Sequence, residues 1–203
     1  MKNAARQDTA EQVAEVAREL LQNGGPEAVS MRAVAQAVGI TPMAIYHHFR
    51  NRESLLQEVT NREFDVLLGF VEARRAALPP RAKLRTVMLQ LMHGYIDYAM
   101  ERPLMFDYVF SKERPGARRF PEDFRARRSP TMNPLADSVE AAMNTGYLKT
   151  DDVWEVAMQL TGLTHGYLVL YRGGRFNYTE REFRAFCERS MDRMIDGLGR
   201  RES

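Results

Sequence analysis

The chain of 203 residues has one cysteine, Cys187, which excludes an intramolecular disulfide framework. No apolar run is long enough to span a bilayer, and the opening residues MKNAARQDTAEQ lack the apolar centre of a signal peptide. The expected location is therefore the cytoplasm. Internal repeats and low-complexity segments are missing, as is any sustained period-2 run of the kind a strand needs. The enzyme motifs are missing too: no H-E-x-x-H, no Glu-x-x-His on a predicted buried face, no phosphate loop and no Ser/His/Asp spacing. No enzymatic activity, cofactor or metal site is expected. A net charge of +2 is too small to argue for nucleic acid by itself.

One local absence does argue for it. Between Glu27 and Glu53 there is no acidic residue, while Arg32, Arg50, Arg52, His47 and His48 fall inside that window. The flanking acids sit elsewhere, with Asp8, Glu11, Glu15 and Glu19 at helical spacing on one face of a first helix. A basic surface facing phosphate is thereby separated from an acidic one.

Nearly every apolar segment repeats at three and four, so the chain is predicted to be all-α, with about nine helices, four and then five. The first runs from an Asp8/Glu11 capping pattern to about Asn23, with Val13, Val16, Ala17, Leu20 and Leu21 inward, and ends at Gly24-Gly25-Pro26. Ser30 caps a second, which Gly39 stops. Thr41 caps a third, Met43 to Phe49, with Pro42 at its first position. Asn51 opens a fourth that runs to Ala77, before Leu78-Pro79-Pro80. Two short helices around a glycine turn are the helix-turn-helix pattern. Beyond Arg81 lie a helix from Leu84 to Ala99, a short aromatic piece from Leu104 to Phe110, and a basic stretch, 111–128, expected to be a loop with broken helix, with seven Lys/Arg against three acids. Three more helices follow, opened at Ser129-Pro130, at Thr150-Asp151-Asp152 and at the Thr179/Glu182 capping box. The predicted domains are residues 1–60 and 61–203.

A helix that reads DNA must fit the major groove and carry base-reaching side chains at its N-terminal end. Thr41, Pro42, Met43 and Ala44 meet that requirement, with Met43 and Pro42 offering apolar contact to thymine methyls. Tyr46 and His47, one turn on, suit phosphate oxygens. Ser30 and Arg32 begin the preceding helix, whose N-terminus attracts phosphate, and Arg50 adds a further contact. Ile45 and Phe49 are expected in the core. His47 and His48 diverge by about 100° on a helix and cannot share a metal ion.

The run VSMRAVAQAVGITPMAIYHHFRNRESLL resembles the DNA-binding domain of the TetR family of transcriptional regulators. Ser30, Ala35, Ala37, Val38-Gly39, Tyr46-His47-His48-Phe49 and Arg52-Glu53-Ser54-Leu55-Leu56 carry the resemblance. It implies that Arg52 takes the place of a phosphate-contacting basic residue, usually Lys, and that the last two helices form a dimer surface. The dimer candidates are Thr161, Gly162, Gly166, Phe183, Phe186, Cys187, Ser190, Met191 and Met194. His165-Gly166 resembles part of a Trp-His-Gly motif of one subgroup, but Thr164 precedes the His here and the single tryptophan is Trp154.

Met88, Met92, Tyr95, Phe106, Tyr108, Trp154, Met158 and His165 are candidates for an effector pocket between helices. Each such residue is more often core than pocket. The expected protein is a homodimeric repressor that leaves a palindromic operator when a small apolar or aromatic effector binds. The alternatives are a helical small-molecule-binding protein or enzyme, an activator, or a regulator controlled by a protein partner.

Overall fold

The computed structural model describes residues 2–111 and 117–199. Its elements are helices α1 Lys2–Gly24, α2 Met31–Val38, α3 Pro42–Tyr46, α4 Arg52–Ala76, α5 Leu84–Glu101, α6 Pro103–Ser111, α7 Glu122–Arg125, α8 Asn133–Asn144, α9 Val153–Arg172 and α10 Glu180–Leu198, with a 3-10 turn at Pro26–Ala28. Among the described residues the extended pairing is limited to one bridge, Leu148 to Gly199. The fold is all-α. Among the described residues there are ten α-helices against the nine counted, the tenth being Glu122–Arg125, a turn of helix inside the stretch expected to be a loop with broken helix; residues 112–116 of that stretch lie outside the described residues.

Two further boundaries differ from expectation. Helix α1 begins at Lys2, so Asp8 lies within it and does not cap it. Helix α8 begins at Asn133, four residues after Ser129. Other caps form where the side chains dictate. Asp152 Oδ1 accepts from Trp154 N at 2.9 Å and Glu155 N at 3.0 Å. Thr179 and Glu182 exchange backbone bonds in a complete capping box at α10.

Contacts divide the chain into two compact units, one of residues 1–66 and 99–117, the other of residues 67–98 and 118–203. The first unit is built on Val13, Ala17 and Leu21 of α1, Val34 and Ala35 of α2, Ile45 of α3, and Leu55 and Val59 of α4, all at most 1% exposed. Met105 of α6 joins this core and Tyr108 packs against it. Burying each Leu or Ile here stabilises the unit by about 1.5–3 kcal/mol.

In the second unit α4 and α5 cross closely at Gly94. A Cβ there would lie 2.7 Å from Val71 Cα and 2.8 Å from the Phe70 carbonyl oxygen, so only glycine fits without a backbone shift. Nearby, Asp97 accepts from Arg74 at 2.6 Å and pairs with Arg184 of α10 at 2.7 Å. Burial pushes the Asp97 carboxyl up, but the hydrogen bonds from the two guanidiniums outweigh it and hold the group below its usual range.

Candidate nucleic-acid interface

Three local devices set the geometry of α2 and α3. Ser30 is extended, and its hydroxyl accepts from Ala33 N at 3.1 Å, which starts α2. Gly39 ends it in the left-handed region, at φ 78° and ψ 28°. Its N–H reaches Ala35 O at 2.9 Å, and Ile40 N reaches the same oxygen at 3.0 Å, closing the helix as the chain reverses. Thr41 then accepts from Ala44 N at 3.3 Å and Pro42 supplies the preset first helical φ. Helix α3 stops at Tyr46, three residues short of Phe49, with His47 as its C-cap.

Ile45 at 0% exposure and Phe49 at 8% fasten this short helix to the core. That anchoring leaves the other faces outward. Thr41, Pro42, Met43, Tyr46 and His47 are exposed and Ala44 is half-buried. Met43 is 69% exposed and Tyr46 49%, an unusual surface presentation for such large apolar groups on five residues of helix. Ser30, Arg32 and Arg50 are exposed as well. Gln36, exposed one turn beyond Arg32, adds a candidate contact to those expected; its i, i+4 spacing from Arg32 is the sequence signal for it.

Arg52 is different. It is half-buried, and its Nε donates to Val29 O at 2.6 Å while Nη2 donates to Pro26 O. Meanwhile the acids of α1 engage cations of their own. Arg18 hydrogen-bonds Glu15 and holds its carboxyl below the usual range, and Arg62 of α4 lies 4.0 Å from Glu11.

The expected effector residues are divided between the two units. Met88 and Met92 are buried on α5 in the second unit. Tyr95 meets His165 there, hydroxyl to Nδ1 at 2.9 Å. Trp154 and Met158 are half-buried on α9, and the Arg127 guanidinium lies 5.8 Å from the Trp154 ring centre. Phe106 and Tyr108 instead belong to the first unit, because α6 packs on α1. Phe106 lies beside Phe110, with ring centres 5.1 Å apart.

The dimer candidates also divide. Phe183, Cys187, Ser190 and Met191 are covered by their own chain, at 0%, 2%, 9% and 2% exposure. Phe183 stacks on Tyr171 with ring centres 4.2 Å apart. Burial pushes the Cys187 thiol up to about 12. Helical period alone cannot tell an inner apolar face from an outer one. Thr161 is half-buried, its hydroxyl 3.1 Å from Met132 S. Phe186 and Met194 are half-buried too. Gly162 is exposed and Gly166 half-buried, and a Cβ at either would meet nothing of this chain within 4 Å. Among the described residues no three His, Cys, Asp or Glu side chains gather as metal ligands.

Comparison with known proteins places this geometry. Residues 13–59 match the model of the bacterial regulatory proteins of the tetR family, and residues 88–198 match the tetracyclin repressor-like C-terminal domain. The HTH-type transcriptional regulator YobS of Bacillus subtilis is 24% identical over 51% of this chain and 52% of its own length, so the chain spans about half of that relative. The HTH-type transcriptional repressor KstR of Rhodococcus jostii is 26% identical over 87% of this chain and 78% of its own. In fold, a Rhodococcus protein of unknown function superposes with a TM-score of 0.78 at 21% identity, covering 94% of this chain and 95% of its own.

Proposed function

The chain belongs to the TetR family and is a DNA-binding transcriptional regulator rather than an enzyme; from that premise we propose that it is a homodimeric repressor, released from a palindromic operator by a small, neutral, largely apolar effector. The observation that carries the DNA reading is the exposed face of Thr41, Pro42, Met43 and Tyr46 on a helix held from behind by Ile45 and Phe49. Ser30, Arg32 and Arg50 surround it with groups suited to phosphate, and no carboxylate lies in the window to oppose them.

Gly162 and Gly166 support the homodimer. Glycine inside a helix costs about 1 kcal/mol relative to alanine, and nothing in this chain occupies the space that either missing side chain leaves. A second copy of α9 crossing there uses that space, and the exposed Val169 and Leu170 lie further along the same helix. Two copies then offer two α3 helices to major grooves about 34 Å apart.

For the effector, the Tyr95–His165 hydrogen bond joins α5, which also carries the buried Met88 and Met92, to α9, which carries Met158. Burial raises the pKa of Tyr95 and lowers that of His165, so both are uncharged near neutrality. That environment favours a neutral ligand with one hydrogen-bonding oxygen. Binding there favours one arrangement of the dimer over the DNA-competent one, and release follows from the difference in affinity. The repressor sign has support in KstR, a relative named as a repressor. Such a protein works in the cytoplasm.

The test is anisotropy of a labelled duplex from the region upstream of the protein's own gene. Saturable binding at physiological salt is expected; no binding even at low salt rejects the reading.

A further inference from the structure

Arg52 stands at the first position of α4, but its guanidinium reaches back across 23 and 26 residues of sequence. Nε donates to Val29 O at 2.6 Å and Nη2 to Pro26 O. Those carbonyls bracket the 3-10 turn that leads directly to Ser30, the cap of α2. The turn packs against α1, and Val29 is part of the hydrophobic core of the first unit. The turn follows Gly24 and Gly25, the latter at φ 70°, and of Pro26, Glu27, Ala28 and Val29 only Val29 is buried. Its backbone bonds are local, Ala28 N to Gly25 O and Val29 N to Pro26 O.

A planar guanidinium can bridge two carbonyls at once, and an ammonium on a flexible stem cannot hold the same fork. Arg52 thus joins the start of α4 to the approach of α2, and with it the placement of Ser30 and Arg32. We propose that Arg52 serves operator binding as a positioning residue, fastening the Pro26–Val29 turn so that Ser30 and Arg32 meet phosphate, and not as a phosphate contact itself. This rests on the DNA-binding reading above.

The experiment uses the full chain and a duplex selected by it from a random-sequence pool. Affinity is measured across a salt series for the native chain, Arg52→Lys, Arg52→Ala, Arg32→Ala and the Arg52→Lys/Arg32→Ala pair, with melting temperatures alongside. Arg52→Lys keeps the charge and is expected to lose about tenfold in affinity, with the salt slope of the native chain. Arg32→Ala is expected to lower that slope by about one. In the double variant the two losses are expected to fall short of additive, since Arg52 acts through Arg32.

Full affinity for Arg52→Lys together with a slope lowered by about one in Arg52→Ala makes Arg52 a phosphate contact and overturns the proposal. Unchanged affinity in both Arg52 variants with only a lowered melting temperature makes it purely structural, and overturns it too. If the native chain selects no duplex from the pool, the DNA-binding reading itself falls, and the proposal with it.

Discussion

Arg102 grips both carboxylate oxygens of Glu63, a side chain with no exposed surface, through Nε at 2.5 Å and Nη2 at 3.2 Å. Arg102 itself is 12% exposed, so the pair is dry on both sides. It ties the residue just before α6 to the middle of α4, inside the unit that carries the helix-turn-helix. Removing one member strands a buried charge, which typically costs about 3–5 kcal/mol. Arg102→Ala is therefore expected to lower the stability of this unit by that amount, read by urea denaturation. A loss below about 1 kcal/mol would mean that water reaches Glu63.

Two glycines in the second unit are expected to respond oppositely. At Gly94 an added methyl meets the α4 backbone at 2.7 Å, so Gly94→Ala is expected to destabilise by about 1–3 kcal/mol, the usual cost of overpacking. At Gly162 the space is open. Gly162→Leu is expected to leave the protomer folded and shift sedimentation from dimer to monomer; a dimer of native affinity would place the interface elsewhere.

The acid response should come in two steps. His165 has its ionisation lowered by burial, so the unfolded chain binds a proton there first. Its contribution to stability is present above about pH 6.5 and is lost as pH falls through the lower folded value. Asp97 follows the same sign at lower pH. Arg74 and Arg184 hold its pKa in the folded chain below the usual carboxylate range, so its contribution is present above about pH 4 and is lost below that. Denaturation midpoints across this range should show both falls. His165→Gln should remove the first, and Asp97→Asn should lessen the second, to which Glu15 and other depressed carboxylates also contribute.

Substitutions on α3 should change which sequences are bound, and those on α2 how strongly. Met43 is 69% exposed near the N-terminal end of α3, so Met43→Gln is expected to alter the preferred bases by about 1–3 kcal/mol per affected position. Arg32→Ala should instead weaken all sequences alike. Selection from a random pool separates the two effects.

Much of this architecture can be read locally. Ser30, Gly39 and Thr41-Pro42 mark the ends of α2 and α3 because a hydroxyl acceptor, a left-handed residue and a preset φ act within four residues. The Thr179/Glu182 box at α10 is legible for the same reason. What escaped depends on distant partners. Asp8 and Glu11 have the spacing of a cap, yet that spacing also occurs within helices, and α1 extends beyond it to Lys2. Phe106 and Tyr108 are apolar in either unit; only the packing of α6 on α1 assigns them to the first. Phe183, Cys187 and Met191 follow a helical stripe that serves an inner face as well as an outer one. Arg52 lies 23 residues from one partner and 26 from the other, a bond no local pattern announces.

The central claim is that two copies of this chain place their α3 helices in successive major grooves. Hydroxyl-radical footprinting on a selected duplex tests it most directly. The expected result is two symmetric protected patches about 34 Å apart, both lost together in Gly162→Leu at concentrations where the native chain is saturated. A single patch, or two patches that persist in a monomeric variant, would contradict it.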